Sequence, residues 1–498
     1  MQSVWESSEN HSKRYITIAG FGLLGLLSFF AGFYQDAITT RLILMLLLAC
    51  LASLFVMIPD RWALRLMFLY LSFEGMAKLL TGYNPVIHVG MDLLMLVLTA
   101  KCFILLVVRK RNFPQHYPPL VGLFILHFIW FFIQFANPNT LGIVPSLAAA
   151  KIYITMNLLF AYGFYLANDP KELEIFFYPW IIGAVVNIAL GLYQAHIGPL
   201  SVLGLSPSYA WVLQKYEGYA FRPFGTSSQP GGAGMFVQLS FMFVLYFVLS
   251  KGPAIKRLLL AAIIPLGIML LLFCQVRVLL FKIIIGTSIF VFLNVFYLQG
   301  RARRRLLIGI PTIAGLMLVS MPFLTQFWLT ARDENVLAME RTLSVFDVQR
   351  IRESRSGTLD RIITFAKMVP FGAGLSRTGS AGEVFAKKTT EKESDPFLRG
   401  VLFTDNFWAS TIADIGIPGS FILTLIVLII LLRAFRGIRE CADSQTRLLQ
   451  ITLFSSLVML MFGAWGSEAI LYNPEAAFFW FFGGAAQRIR IWPFEKFE

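Results

Sequence analysis

The sequence is poor in charged residues and in cysteine. Charged side chains make up 14% of its 498 residues. No phosphate-binding loop and no dinucleotide-binding glycine fingerprint occurs. No predicted cytoplasmic segment is large enough to house a nucleotide, so the sequence does not predict ATP-driven chemistry. The few cysteines lie in or beside apolar segments, without the spacing of a disulfide framework or zinc site. They are Cys50, Cys102, Cys274 and Cys441.

Apolar residues dominate what is present. They form 57% of the chain, and the mean hydropathy is +0.70, which is more apolar surface than a soluble core of this size can bury. We therefore predict an all-α, polytopic membrane protein. The net charge of +14 falls mostly in short loops between apolar segments, where basic residues orient a membrane protein. We accordingly predict no nucleic-acid partner.

Apolar stretches of about 20 residues suffice to cross a bilayer as helices, and the sequence predicts about fourteen of them. Basic loops mark one side as cytoplasmic, with both termini on that side. The first stretch lacks a small-residue cleavage pattern and is predicted to be an anchor. The third is interrupted by Arg65, Glu74 and Lys78, and the last is short. The stretches are 16–33, 42–58, 62–80, 87–108, 119–136, 145–167, 174–196, 232–250, 258–276, 279–298, 306–328, 406–432, 448–471 and 475–487.

Two long loops on the opposite, outer side divide the chain. The predicted segments are N-terminal transmembrane helices (1–196), a first outer loop (197–231), central transmembrane helices (232–329), a large outer loop (330–404) and C-terminal transmembrane helices (405–498). The large loop carries twelve basic and ten acidic residues. It is the main polar segment of the chain.

The arginines of the large loop suit a ligand that is both anionic and lipophilic. Their planar forks grip phosphate in a bidentate manner, and the apolar face of an amphipathic helix rests on lipid. We predict a mobile lid over a lipid-pyrophosphate site, with Gly372, Gly374 and Gly382 as its joints. The alternative is a solvated domain with internal ion pairs. The arginines are Arg341, Arg350, Arg352, Arg355 and Arg361.

Helical spacing of apolar residues from Leu359 to Ala366 predicts a short helix lying on the membrane. Pro370 and the two glycines after it are expected to end this helix. Arg361 projects from its polar side.

Two further arginines lie at the outer edge of the apolar segments. Arg222 stands among aromatic residues before a glycine-rich run that lets backbone amides approach a ligand, so it is predicted to bind phosphate or sugar; the alternative is an interfacial aromatic belt. Arg277 lies at a tight turn and needs an anionic partner, or else it extends to the headgroups. Lys282 follows on the same helix and either faces the same site or extends outward.

Asp405 and Asn406 precede the twelfth span. Asp405 is predicted either to cap that helix or to act as general base, because a carboxylate at the edge of a low-dielectric site can have its pKa raised. Histidine, the usual base at neutral pH, is scarce in the outer loops.

These patterns together resemble the O-antigen polymerase and O-antigen ligase superfamily of bacterial inner-membrane glycosyltransferases. The motifs fall within about residues 216–420. They are R-x-x-G-T at Arg222 to Thr226, the turn arginine Arg277, R-x-x-x-[FW] and P-x-G-x-G at Arg361, Phe365 and Pro370 to Gly374, and D-N-x-[WY] and G-x-x-G at Asp405 to Trp408 and Gly416 to Gly419.

The resemblance implies a GT-C-like helical fold and glycosyl transfer on the periplasmic side of the inner membrane, with no metal and no cofactor. Its implied partners are a polyprenyl-pyrophosphate-linked glycan donor, a glycan acceptor, membrane lipid, a chain-length regulator and a flippase. From their positions and chemistry we predict catalytic roles for Asp405 and Arg361, and substrate binding by Arg222, Arg277, Arg355 and Asn406. Ligases of the group tend to carry His-Asn where this chain has Asp405-Asn406, which favours a polymerase.

A transporter of lipid-linked oligosaccharide is the competing interpretation. Twelve to fourteen helices are also typical of that class, but transporters place their sites near the bilayer midplane on broken helices. Convergence of the arginines at the outer end favours the enzyme. A polar path through the centre favours the transporter.

Overall fold

The computed structural model describes most of the helical body. Described are residues 56–82, 94–101, 118–140, 151–167, 169–214, 220–250, 252–298, 348–375, 377–378, 406–441, 443–467 and 470–489, with scattered positions between 46 and 341. Over these residues the fold is all-helical, without a strand. Five of the helices are long and apolar enough to cross a membrane, and the protein is membrane-embedded.

Fifteen helices follow one another in the described parts of the chain, and a π-helical turn (Lys151–Thr155) precedes the fourth. They are α1 (Asp60–Leu71), α2 (Glu74–Leu80), α3 (Val121–Phe135), α4 (Met156–Leu166), α5 (Pro170–Ile175), α6 (Tyr178–Ile197), α7 (Leu200–Leu203), α8 (Pro207–Gln214), α9 (Ala233–Leu249), α10 (Ala254–Cys274), α11 (Arg277–Tyr297), α12 (Val348–Met368), α13 (Phe407–Glu440), α14 (Ser444–Gly463) and α15 (Glu475–Ile489).

Most of the predicted spans that fall in the described residues coincide with these helices, but the described residues do not show fourteen spans. The spans predicted at 16–33 and 306–328 lie outside them, apart from single positions. The predicted span 62–80 is broken into α1 and α2 at Ser72 and Phe73. The predicted loop 197–231 contains the short helices α7 and α8.

The chain forms two compact units. The first comprises Met1–His116, Leu200–Glu217 and Thr226–Ser228. In it, Ser206 Oγ at the start of α8 donates a 2.7 Å hydrogen bond to the carbonyl oxygen of Leu79 at the end of α2. This bond fastens the short helices α7 and α8 to the unit.

The second unit comprises Tyr117–Pro199, Gly218–Gly225 and Gln229–Glu498. Its closest helix pair is α4 with α15. A Cβ on Gly163 would overlap the carbonyl oxygen of Phe481, and a Cβ on Gly484 would overlap that of Phe160. Small residues let the backbones of membrane helices approach in this way.

Aromatic rings fill the space beside this pair. Phe177 stacks on Phe243 with ring centroids 3.8 Å apart, and Phe243 contacts Phe478 of α15 at 5.2 Å. The second unit holds every site residue that the sequence predicts.

Candidate functional site

Gln275 joins two of the predicted site segments. It lies in the turn between α10 and α11 with a left-handed backbone (φ 55°, ψ 21°), which is uncommon for a residue other than glycine. Its Nε2 donates hydrogen bonds to the carbonyl oxygens of Ala220 (3.0 Å) and Phe221 (3.2 Å). The loop bearing Arg222 is therefore fastened to the turn bearing Arg277. Both arginines are half-buried.

Other residues hold the same loop from its glycine-rich side. The amide of Gly225 donates to Gln194 Oε1 at 2.8 Å, and that of Gly231 donates to the carbonyl oxygen of Pro223 at 2.9 Å. A Cβ on Gly231 would lie 2.5 Å from the Cys274 carbonyl oxygen. For Gly231 the prediction that its amide approaches a ligand is wrong, because the amide donates within the protein and the missing side chain makes room for a neighbour.

A buried ion pair lies about one and a half turns along α11 from Arg277. Lys282 Nζ is 2.7 Å from Glu475 Oε1 at the start of α15. The end of α14 crosses the lysine so closely that a Cβ on Gly463 would overlap its side chain. Of the two predicted alternatives for Lys282, extension to the headgroups is wrong. Sequence reasoning missed Glu475, although an acidic residue that opens an apolar span is itself a signal.

Asn406 starts α13 and also ties it to the segment after α14. Its Oδ1 accepts a 3.1 Å hydrogen bond from the amide of Ala409, which makes it the N-cap, and its Nδ2 donates to the carbonyl oxygen of Trp465. The capping role predicted as an alternative for Asp405 therefore belongs to Asn406. Asp405 itself lies outside the described residues. The sugar-binding role of Asn406 stays a prediction.

Arg361 lies on the exposed side of α12. One turn later, Phe365 packs against Ala409 and Ala413 of α13, and farther along the carbonyl oxygen of Pro370 accepts a 2.8 Å bond from the amide of Ile417. The two helices thus run in the same direction along this contact, and the turn with Arg361 lies toward the start of α13.

The prediction of a helix in this region is confirmed, and the helix ends at Met368, before Pro370. That it lies on the membrane stays a prediction. It is longer than predicted, since it begins at Val348. Arg355 falls within α12, but its side chain is outside the described residues.

A segment that we call the strap, Pro370 to Thr378 without Ser376, follows α12 and lies against α13. Gly372 and Gly374 are buried with φ of 96° and 97°. A Cβ on Gly372 would lie 2.8 Å from the Asp414 carbonyl oxygen, and one on Gly374 would lie 2.7 Å from the amide nitrogen of Thr140. The prediction that these two glycines are lid joints is therefore wrong, since close packing fixes them; Gly382 lies outside the described residues.

Asp414 is the second acidic residue that sequence reasoning missed. It is buried in α13 and accepts hydrogen bonds from the strap, from both the amide (3.1 Å) and the hydroxyl (2.9 Å) of Thr378. An ionisable residue inside an apolar span is by itself a mark of function. Its place between the motifs at Asp405 to Trp408 and Gly416 to Gly419, two residues before Gly416, was the available signal.

The described members of the predicted site, Arg222, Arg277, Arg361 and Asn406, thus lie at one end of the second unit, which we call the mouth. There α9, α11, α13 and α15 begin, and α6, α10 and α14 end. The structure joins the loop of Arg222 to the turn of Arg277, and it joins Asn406 to the segment that follows Gly463. Among the described residues, no three His, Cys, Asp or Glu side chains form a cluster that could hold a metal.

Comparison with known proteins found no matching family model, no matching curated protein and no matching solved structure. The functional assignment therefore depends on the chemistry of the mouth and on the motif resemblance.

Proposed function

We propose that the chain is a metal-independent glycosyltransferase of GT-C type in a bacterial inner membrane, with about fourteen transmembrane helices and both termini cytoplasmic. It polymerises polyprenyl-pyrophosphate-linked oligosaccharide repeat units of a surface or exopolysaccharide on the periplasmic side. The observation that carries the proposal is the Gln275 tie, which joins the loop of Arg222 to the turn of Arg277.

In the proposed reaction, Arg222 and Arg277 bind the pyrophosphate of the donor. Breaking a glycosyl pyrophosphate produces an oxocarbenium-like centre and a multiply charged leaving group, and guanidinium groups stabilise that charge. Arg361, on the turn of α12 that lies toward the start of α13, assists the departing phosphate. Asp405 takes the proton from the attacking hydroxyl, Asn406 and Arg355 hold the substrate, and an activated donor needs no second catalytic carboxylate of the kind that hydrolases use.

The test uses purified protein in lipid discs with a defined lipid-linked repeat unit. Arg222→Lys and Arg277→Lys keep the charge but lose the bidentate fork, so we expect much shorter glycans at normal expression. Arg436→Lys is the matched control, because this exposed arginine lies near the far end of α13. Wild-type glycan lengths from Arg277→Lys contradict the proposed role.

Ligase-type transfer is the alternative within the same chemistry. It differs only in the acceptor, so the same assay with a lipid A-core acceptor and no second repeat unit distinguishes it. Transfer to that acceptor without elongation identifies a ligase.

One observation favours the transporter alternative: α13 is broken at Gly416 (φ 69°, ψ −178°), next to the buried carboxylate of Asp414. Broken helices with ionisable residues build the sites of many transporters. Against this, the backbone groups of α13 at the break already form hydrogen bonds with the strap and with a tryptophan of the protein itself. Movement of labelled lipid-linked glycan across proteoliposomes without elongation supports the transporter.

A further inference from the structure

The break in α13 frees backbone groups that an unbroken helix would pair. The carbonyl oxygen of Ala413 and the amide of Ile417 lose each other as partners at Gly416. Inside a bilayer such groups are tolerated only where the protein satisfies them. A break at this position therefore needs a dedicated partner.

The strap supplies that partner with its own backbone. The Ala373 amide donates to the Ala413 carbonyl oxygen at 2.7 Å, and the Ile417 amide donates to the Pro370 carbonyl oxygen at 2.8 Å. Trp130 of α3 closes the site, because its Nε1 donates a 2.7 Å bond to the Ile415 carbonyl oxygen.

The end of α3 holds the strap from its other side. Gln134 Nε2 donates to the Phe371 carbonyl oxygen at 2.6 Å, and Asn137 Nδ2 donates to that of Gly372 at 3.2 Å. Farther along, Arg377 Nε donates to the Asn139 carbonyl oxygen at 2.8 Å. The strap is thus bonded on both sides.

Asp414 fastens the far end of the strap. Besides the two bonds from Thr378, its Oδ2 accepts a 3.1 Å hydrogen bond from the Tyr153 hydroxyl. All three side chains are almost inaccessible, at 1 to 2% exposure. Within the described part of the chain, Asp414 makes no salt bridge. Its side-chain partners are hydroxyl groups, which either donate or accept, so an amide fits the same place.

We infer that Asp414, with Tyr153 and Thr378, is a positioning residue: it locks the strap into the break of α13 and so sets α12, with Arg361, against the start of α13. This inference rests on the proposed function only for the role of Arg361. The docking of the strap is independent of any activity. In this role Asp414 acts through its hydrogen bonds, and its charge is dispensable. A proton carrier, by contrast, needs an ionisable side chain.

The test measures hydrogen exchange and glycan elongation on the same variants of the full chain. In Asp414→Ala we expect the Ala373 and Thr378 amides to exchange at least about tenfold faster, because a buried network loses its acceptor. Amides of α9 serve as the internal reference. Elongation should fall by a similar factor, and Asp414→Asn should restore both protection and elongation.

Two milder variants guard against misfolding of Asp414→Ala. Tyr153→Phe removes one donor and leaves Thr378 in place, so we expect a smaller rise in strap exchange; Tyr193→Phe, an exposed tyrosine on α6, should change nothing. Unchanged strap exchange in both Asp414→Ala and Tyr153→Phe overturns the inference.

The outcomes separate the inference from the proposed function. Loss of elongation in Asp414→Asn with a protected strap shows that the charge itself is needed and overturns the positioning role. A loosened strap with undiminished elongation in Asp414→Ala overturns the link to Arg361. A wild-type protein that never elongates the donor refutes the proposed function, while the exchange data still test the strap.

Discussion

Lys282 and Glu475 lie 193 residues apart in the chain and form a buried ion pair with a 2.7 Å separation. Taking two charges out of water is expensive, and their attraction repays the cost only while both partners are present. The pair joins α11 to α15 at the mouth. Removal of one partner leaves an uncompensated buried charge, whereas removal of both leaves none, so the two changes affect stability differently.

We expect Lys282→Met to destabilise the protein by about 3–5 kcal/mol, because it leaves an uncompensated buried carboxylate. The double variant Lys282→Met/Glu475→Leu should recover most of that loss. Thermal unfolding in detergent, followed by intrinsic fluorescence, measures both. Lys367→Met, at an exposed lysine of α12, is the control, and a double variant that is less stable than either single variant contradicts the prediction.

Gly163 faces the backbone of α15. We expect Gly163→Ala to cost about 1–3 kcal/mol of stability, because the added methyl group forces two helices apart in a close-packed core. Gly122→Ala is the matched control, since nothing lies within 4 Å of its added Cβ. Equal unfolding temperatures for the two variants contradict the observed packing.

Each end of the Asn406 amide makes one hydrogen bond within the protein. Asn406→Asp keeps the helix cap but sets a second acceptor against the Trp465 carbonyl oxygen, so we expect a loss of about 1–3 kcal/mol. Asn406→Ala loses both bonds and should be less stable still. An Asn406→Asp protein as stable as wild type indicates that the bond to Trp465 contributes nothing.

With the cap assigned to Asn406, Asp405 is left with the proposed role of general base. General-base assistance contributes about 10²–10⁴-fold. Asp405→Asn should therefore leave donor affinity nearly intact and lower turnover at least about a hundredfold. Single-turnover elongation with a defined donor, together with a donor-binding measurement, tests this; turnover within a few-fold of wild type removes Asp405 from the mechanism.

Asp443 caps α14 outside the membrane span, accepting hydrogen bonds from the amides of Gln445 (2.8 Å) and Thr446 (2.9 Å). Partial burial acts to raise the pKa of Asp443, but the hydrogen bonds from Thr446 and Gln445 outweigh it and hold the pKa below its ordinary value. A lowered pKa stabilises the fold above the unfolded-state value of about 3.9, and this contribution is lost as the pH falls through the folded-state pKa.

Wild-type protein should therefore lose stability relative to Asp443→Asn as the pH is lowered from about 6 to 3, by less than about 1 kcal/mol, because the site is largely exposed. Asp443→Ala should lie below both at pH 6. Unfolding temperatures of the three proteins across this range check the sign, and a difference between wild type and Asp443→Asn that is independent of pH contradicts it.

The positions of the helices could be predicted from the sequence because length and hydropathy are local properties. From α3 onward, the apolar described helices lie close to predicted spans, whereas α7, α8 and α12 lie in the predicted outer loops. Pro370 was a sufficient signal for the end of α12. The faces of these helices could not be predicted. In a helix such as α14 the polar residues are spread around the helix, so no periodicity marks its inner side.

The parts of the site that could not be predicted from the sequence depend on long-range contacts. In the sequence, Lys282 and Glu475 each resemble a charged residue at the membrane boundary. Only the adjacent positions of α11 and α15 in the structure show that they form a pair. The glycines of the strap look like flexible joints when read alone, because the sequence does not reveal that α3 and α13 press on them. Gln275 carries no motif, and its importance comes from its two bonds to a distant loop.

The reciprocal glycine contact between α4 and α15 has a consequence for biogenesis. The two helices are separated by most of the chain, so Gly163 lacks its partner while the intervening helices are synthesised and inserted. Only when Gly484 enters the bilayer can this contact form. It is therefore completed by the last described helix, and a ribosome that stalls before residue 475 leaves Gly163 without its partner.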